Sequence, residues 1–516
     1  MRQLNPIFKA SRKIFLSAVC MWCGVVAVAC GSDTGTTGGT TPTGGSSQGG
    51  SAGGSALAGS GGLGGVSGSG LGLAGNAGVA NGGASGFSGS AGSAGSGGAA
   101  GSGGAGGAPL LIWPNADSSK NSDPWLSAHH NEIQEIHPKF LIIDFANAVS
   151  LDDVKARFAK QKAMMQEASR YHGYSDPSAK PFVNYEIAKL VDLTDPGAQK
   201  DVPYPNSSKM PRRVKSTVNG VDHYSIKYSD LFTQQYADYY AIPDPNNPSH
   251  NMKLCELFQA GMVNDIFLVV NKRGVDDQMP EITEYKQMYD DKDVVRPGQF
   301  TQNAGNGYMD DSDIPSVKEC GRSVRVGFLE MTGTFGNSMQ VNGHNYEHFS
   351  AAVPHFGAMF KPFANFDMDT RYGTSFSDWY GMCSGGSGCI SYPDQNSVSF
   401  SDKGQPRTIN PFNQGCGNAH FPPNAKGNYD QTETQVVLST CEHYGMHDGP
   451  GGKDIQTPYS RATLKKWDTD TKYYEGASPT GGAWYMYWYE SWPGLNNKAM
   501  MADGTPMKNW WVYLYY

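Results

Sequence analysis

Phe140-Leu-Ile-Ile-Asp-Phe145 decides the fold of the large C-terminal part of this chain. A continuous apolar run of this length is typical of a strand that is covered on both faces, as in parallel sheets. Apolar residues then recur at helical spacing from Leu151, behind a capping-box start at Ser150, until Gly173 supplies a stop. The segment Phe182-Val-Asn-Tyr-Glu-Ile187 follows as a second strand and completes a strand–helix–strand unit, which predicts two parallel strands joined by a right-handed crossover.

Later segments repeat this pattern less regularly. The predicted elements are a first helix over 123–137, further helices over 229–240 and 252–262, and strands over 266–271 and 324–331. Beyond His355 polar loops dominate. We therefore predict an α/β fold, with a largely parallel sheet, flanking helices and a loop-rich, disulfide-bridged C-terminal elaboration. The pattern does not separate an open sheet from a closed barrel.

The first thirty residues have the pattern of an export signal. Basic residues precede an apolar run of 16 residues from Ile14 to Ala29, which is shorter than the roughly twenty residues of a bilayer span. The junction Ala27-Val-Ala-Cys30 resembles the lipobox of bacterial lipoproteins, and this resemblance implies cleavage before Cys30 and acylation of that cysteine. Ala-Val-Ala departs from the commoner Leu-Ala-Gly, so ordinary cleavage nearby is the alternative.

The segment after Cys30 is low in complexity. Between Gly31 and Gly107 lie 33 of the 66 glycines, and Asp33 is the only charged residue. So little apolar surface cannot offset chain entropy, which predicts a flexible tether with a root-mean-square reach of about 50 Å. The predicted organisation is a signal peptide over 1–29, a lipidated linker over 30–108 and an extracytoplasmic α/β domain over 109–516, with an aromatic-rich sub-domain considered from about residue 360.

Charge narrows the partners of the C-terminal domain. From Pro109 onward, 36 Lys and Arg face 47 Asp and Glu, a net charge of −11. Nucleic-acid binding requires basic patches that replace phosphate counterions, so we predict no nucleic-acid partner. No later apolar run is long enough to span a bilayer, so membrane attachment is predicted through the lipid alone, in the cell envelope on the periplasmic or outer surface.

Six cysteines remain after the predicted acylation site. An even number suits an oxidising compartment. The short loop from Cys383 to Cys389 could close on itself, which leaves Cys255 with Cys320 and Cys416 with Cys441 as the simplest pairing.

His344-Asn-Tyr-Glu347-His348 is the sharpest chemical motif. Histidines four residues apart share one helix face and can bind one zinc ion, while a glutamate between them can take a proton from the metal-bound water. The motif resembles the His-x-x-Glu-His of inverzincin metallopeptidases, which implies His344 and His348 as ligands and Glu347 as base. The candidates for a third ligand are His355, His420 and Glu442. The alternative is a structural role without metal.

Acidic and amide side chains at strand ends form a second set of candidates. In parallel sheets, active sites lie beyond the carboxyl ends of strands, and this position is predicted for Asp144, Asn147, Glu186, Asn271 and Glu330. If Glu186 and Glu330 face one cleft, they could act as the acid and base of a glycoside hydrolase. Helix capping or hydrogen bonds to loop amides is the simpler role for each carboxylate.

Aromatic residues are concentrated at the C-terminus, over 484–492 and 510–516. They could stack on sugar rings, but burial in the core is favoured because both faces of the expected strands are aromatic. The predicted function is an extracytoplasmic hydrolase, with zinc or another divalent metal as the candidate cofactor, acting on envelope or environmental polymers. The alternative is a non-catalytic surface module that binds polysaccharide or protein.

Overall fold

The structure is a computed structural model. It describes residues 111–118, 122–147, 149–195, 206–218, 221–271, 282–302, 313–330, 346–374, 390–402, 405–464 and 482–516, together with Met339, Gly343 and Trp467. The predicted signal, the acylation site at Cys30 and the linker lie outside these residues, as do His344, Cys383 and Cys389.

The centre of the fold is a six-stranded mixed sheet. Its order is β4-β3-β9-β12-β10-β11, formed by Glu186–Asp192, Lys139–Asp144, Asp265–Val270, Val324–Glu330, Ile282–Tyr289 and Val295–Gln302. The first four strands of this order are parallel, and β10 and β11 continue the sheet as an antiparallel pair. This arrangement confirms the predicted α/β class.

The remaining strands form small sheets. They are β1 Leu111–Trp113 with β2 Ile133–Ile136, β5 Arg213–Val218 with β6 Val221–Ile226, β7 Pro243–Asp244 with β8 Asn247–Asn251, β13 Ile390–Ser391 with β14 Val398–Asp402 and β15 Gln405–Ile409, and β16 Val437–Ser439 with β17 Thr457–Tyr459.

Nine α-helices lie wholly within the described residues. They are α1 Ser122–Ala128, α2 Leu151–Ala168, α3 Gln234–Tyr240, α4 Leu254–Gln259, α5 Ile314–Lys318, α6 Pro354–Phe363, α7 Met368–Tyr372, α8 Gly482–Glu490 and α9 Trp510–Tyr513. Short 3-10 helices occur at Tyr228–Phe232, Cys441–His443, Pro450–Gly452 and Arg461–Leu464. None of these described helices combines the length and the apolar character that crossing a membrane would require.

Helix α2 begins as the sequence predicts. Ser150 Oγ accepts a hydrogen bond from the backbone N–H of Asp153, and the Asp153 carboxylate accepts from the backbone N–H of Ser150. This reciprocal pair satisfies two amide groups that have no partner inside the helix. The helix leads from β3 towards β4, and the two strands are parallel, so the predicted strand–helix–strand unit is confirmed.

Four predicted helix or strand boundaries are wrong. The first helix ends at Ala128, because 133–136 pairs with β1 as β2. The segment 182–185 precedes β4, since the N–H groups of Phe182 and Val183 donate to Ser169 Oγ. The predicted helix over 229–240 is a 3-10 helix followed by α3. The predicted helix over 252–262 is shorter and consists of α4.

Both faces of the main sheet are covered. On β3, Phe140 and Ile142 belong to one buried cluster, whereas Leu141 and Ile143 belong to the other. Side chains alternate between the two faces of a strand, so the apolar run over 140–145 is explained by burial on both sides.

The C-terminal aromatic residues are core residues. Every residue of α8 and α9 is buried, which confirms the favoured interpretation over sugar stacking. The expected strands are wrong, however, because 482–490 and 510–513 are helical. A helix that is apolar on all sides must be enclosed by the protein.

Two of the predicted disulfides are present. Cys255 pairs with Cys320 at a Cα–Cα distance of 4.6 Å, and Cys416 pairs with Cys441 at 4.3 Å. These bridges tie α4 to the turn after α5, and the segment before Gly417 to the 3-10 helix that begins at Cys441. The predicted pair Cys383–Cys389 lies outside the described residues.

Candidate functional site

Glu347 lies in a short helical segment, 346–349, that faces a loop far along the chain. Its Oε1 accepts a hydrogen bond from the backbone N–H of Ala419 at 2.6 Å. The carbonyl of Ala419 accepts from the hydroxyl of Tyr485 on α8 at 2.8 Å. The peptide groups of Ala419 are therefore held from both sides, which fixes the position of the Glu347 carboxyl group.

His420 follows Ala419 and brings an imidazole to the same region. The charge of His348 is the smallest of the causes that lower the pKa of His420. Nδ1 of His420 lies 2.9 Å from Oδ1 of Asn428. Because an amide oxygen only accepts hydrogen bonds, Nδ1 carries the hydrogen and Nε2 is the basic nitrogen of the ring.

Burial keeps this cluster uncharged near neutral pH. Burial raises the pKa of Glu347 to about 8, against an opposing effect of the hydrogen bond from Ala419. Burial also lowers the pKa of His348 to about 4. The pKa of His420 falls to about 4, chiefly through burial, while the bond to Asn428 opposes the shift and the charge of His348 adds to it. Near neutral pH the carboxyl group of Glu347 is therefore protonated, and the imidazoles of His348 and His420 are neutral.

The fit of a metal ion depends on how many ligands converge. Neutral imidazoles are what a zinc site requires. Within the described residues, however, no group of three or more His, Cys, Asp and Glu is arranged to hold a metal ion. Glu347, His348 and His420 therefore do not form a ligand set by themselves, and we derive no chemical step through a metal. His344, the other predicted ligand, lies outside the described residues.

The other two candidates for a third ligand have different partners. His355 Nδ1 contacts the buried Asp293 Oδ2 at 2.9 Å. Glu442 accepts a hydrogen bond from the hydroxyl of Tyr487 at 3.2 Å. Of the three candidates, His420 directly follows Ala419, whose N–H contacts Glu347.

Glu186 and Glu330 lie at opposite ends of the sheet. Glu186 begins β4 and pairs with Lys139, whereas Glu330 ends β12 and pairs with Val270. About six residues of strand separate these levels, which is roughly 20 Å. Two catalytic carboxylates of a glycosidase lie less than about 10 Å apart. The condition that these two residues face one cleft is therefore not met, because β4 begins at Glu186, four residues later than the predicted strand over 182–187.

Asp144, Asn147 and Asn271 lie at the carboxyl ends of the parallel strands, as the sequence predicts. Asp144 ends β3, and Asn271 directly follows β9. Asn147 Oδ1 accepts a hydrogen bond from the backbone N–H of Asp195 at 3.0 Å, so it joins the loops that follow β3 and β4.

No family model matches this chain, and neither a curated protein nor a solved structure matches it. The site must therefore be judged from its own geometry.

Sequence reasoning considered His420 only as one of three candidates and did not find Ala419 at all. No local pattern marks them, because 72 residues separate Glu347 from Ala419. The contact is made by tertiary packing against α8, where Trp488 Nε1 also donates to the carbonyl of Gly417 at 3.0 Å.

Proposed function

We propose that the mature chain is a lipid-anchored extracytoplasmic hydrolase that acts on polymers of the cell envelope or its surroundings. Glu347 and His420 supply the acid and the base. The observation that carries this proposal is the hydrogen bond that fixes the Glu347 carboxyl group on the N–H of Ala419, the residue that precedes His420. A carboxyl group whose pKa is raised to about 8 still carries its proton near neutral pH, as a general acid must.

The proposed reaction adds water across one bond of the polymer backbone. His420 takes a proton from water as the water oxygen attacks the scissile bond, and the Glu347 carboxyl group donates its proton to the leaving oxygen. The imidazolium of His420 then returns a proton to Glu347. His348, which is neutral, leaves the carboxyl group without a cationic neighbour that would favour its ionised form.

The metal-dependent form of the proposal rests on the inverzincin resemblance. It would use His344 and His348 as zinc ligands and Glu347 as base. Metal analysis of the purified mature chain, with a His348→Ala control, tests it directly. If the wild type holds stoichiometric zinc and the variant does not, the metal scheme replaces the acid–base scheme.

The acid–base scheme is tested with Glu347→Gln in the full mature chain. Gln keeps the size of the side chain and its oxygen acceptor but cannot donate the catalytic proton. We expect hydrolysis of the most reactive polymer in a panel of envelope polysaccharides and peptidoglycan to fall by at least about a hundredfold. The control is Glu132→Gln. Glu132 is exposed, so this substitution should leave the rate of hydrolysis unchanged.

Two results would contradict this proposal. One is full activity of Glu347→Gln, and the other is no turnover of any polymer by the folded wild-type chain. The second result would favour the alternative, a non-catalytic surface module that binds polysaccharide or protein.

A further inference from the structure

The order of the parallel strands places a topological switch point at the carboxyl end of β3. From β3 the chain passes to β4 on one side, and it later adds β9 and β12 on the other side. Connections that leave two neighbouring parallel strands in opposite directions open a crevice between their carboxyl ends, where ligands of open α/β sheets bind. In this sheet that position lies between β3 and β9.

Asp144 places a carboxyl group at this crevice. It is the last residue of β3 and pairs with Val269 of β9. The residue is 1% exposed. Its Oδ1 accepts a hydrogen bond from the backbone N–H of Ala146 at 2.9 Å, whereas Oδ2 is buried and has no hydrogen-bond partner among the described residues.

Asn206 spans the same strand ends. Its backbone is held by the N–H of Ser207, which donates to the carbonyl of Phe145 at 2.8 Å. Its Oδ1 accepts from the backbone N–H of Asn271, just beyond β9, at 2.8 Å. Asn206 is fully buried, and within the described part of the chain Nδ2 has no acceptor. An unsatisfied polar atom in a buried position is costly and calls for an explanation.

The two unsatisfied atoms define the chemistry of a ligand. Nδ2 of Asn206 only donates hydrogen bonds, so it cannot contact a metal cation favourably. Oδ2 of an ionised Asp144 only accepts, so it repels phosphate and other anions, and Asp192, which pairs with Asp144 on β4, adds negative charge. A hydroxyl group both accepts and donates, so the hydroxyls of a sugar suit an acceptor and a donor alike.

We infer that the crevice between β3 and β9 binds a neutral sugar unit of a polysaccharide through Asp144 and Asn206. This inference does not depend on the proposed hydrolytic centre at Glu347, because it concerns binding at different residues.

The test measures binding of neutral oligosaccharides of glucose, mannose, galactose and N-acetylglucosamine to the full mature chain by calorimetry at about pH 7.5. In Asn206→Asp the side chain keeps its size and its acceptor for the Asn271 N–H but loses the amide donor. We expect at least one probe to bind the wild type and to bind this variant about tenfold or more weakly. Asp144→Asn, which replaces the acceptor by a donor, should lose affinity similarly.

Asn264→Asp is the matched control. Asn264 Oδ1 accepts from the backbone N–H of Lys139 at 2.9 Å, and its Nδ2 is likewise buried without a partner among the described residues. It lies, however, at the opposite end of the same strands, so binding should be unchanged. Failure of every probe to bind the wild type, or equal binding by the wild type and folded Asn206→Asp, would overturn the inference.

Discussion

The N–H of Ala419 donates to Oε1 of Glu347 at 2.6 Å, although 72 residues separate them. This one contact joins the segment that carries the His-x-x-Glu-His motif to the loop that carries His420. It also orients a carboxyl group whose pKa burial raises to about 8. The protonation of Glu347 therefore changes within an experimentally accessible range.

The pH dependence of hydrolysis should reflect this group. If Glu347 donates the catalytic proton, activity should fall as the pH rises through about 8, because the carboxyl group then loses that proton. The measurement is kcat/KM from about pH 6 to about pH 10. A profile that stays flat across this alkaline range would contradict the assignment of Glu347 as the acid.

Asp144→Asn should stabilise the fold at neutral pH. Burial, with a smaller contribution from Asp192 and against the Ala146 N–H, raises the pKa of Asp144 from 3.8 to about 6. The folded state therefore holds this proton more tightly than the unfolded state. The free energy of unfolding falls between about pH 4 and about pH 6 and stays lower above that range.

The cost of the ionised Asp144 is on the order of 3 kcal/mol, because one pKa unit corresponds to about 1.4 kcal/mol. Asn cannot ionise, so the gain should appear at about pH 7.5 and nearly vanish at about pH 4. Urea unfolding, followed by tryptophan fluorescence, measures this gain in the free energy of unfolding. The control is Asp117→Asn, because Asp117 is exposed. An equal gain at both pH values would refute the electrostatic explanation.

Asp293→Asn should destabilise the fold. Asp293 Oδ2 accepts hydrogen bonds from His355 Nδ1 at 2.9 Å, Lys508 Nζ at 2.6 Å and Tyr513 Oη at 3.0 Å. Burial would raise the pKa of Asp293, but its bonds with His355 and Lys508 and their charges lower it overall.

The Asp293 variant leaves the Lys508 ammonium group without its carboxylate partner, which typically costs about 3 kcal/mol or more. Denaturant unfolding at neutral pH should show this loss, whereas Asp291→Asn, two residues away and exposed, should change little. Equal stability of the two variants would mean that the Asp293 contacts contribute nothing measurable.

Removing either disulfide should lower stability, and slightly more for the bridge that closes the longer stretch of chain. The bridges Cys255–Cys320 and Cys416–Cys441 span 65 and 25 residues. The loop-entropy relation gives about 4 kcal/mol for the longer loop and about 3.5 kcal/mol for the shorter. Denaturant unfolding of the two double Cys→Ala variants measures the two losses of stability. Non-reducing peptide mapping identifies which cysteines are paired. Detection of a different pairing would overturn the assignment.

Acylation of Cys30 remains a prediction of the sequence. In a bacterial host, Cys30→Ala should abolish incorporation of labelled palmitate and release the exported chain from the membrane fraction, because no acyl group remains to bind lipid. Arg2→Gln, in the signal region, serves as a control that leaves the cysteine in place. An uncleaved precursor with reduced thiols in the cytoplasm would contradict export.

Local sequence was sufficient for the strands and the helix that carry most of the apolar pattern. The run over 140–145 fixed β3, and Ser150 with Asp153 fixed the start of α2, because alternation and capping depend on neighbours within a few residues. The same local reasoning failed at 182–185. There the backbone N–H groups of Phe182 and Val183 donate to the Ser169 hydroxyl and not to a neighbouring strand.

The sequence by itself determined the α/β class, the helix–strand alternation around β3 and the simplest pairing of four cysteines. Only the tertiary structure decided that Ala419 binds Glu347, that Glu186 and Glu330 lie at opposite ends of the sheet, and that Asn206 bridges to Asn271. Periodicity and capping are short-range effects, whereas these relationships depend on strand order and on packing between segments tens of residues apart.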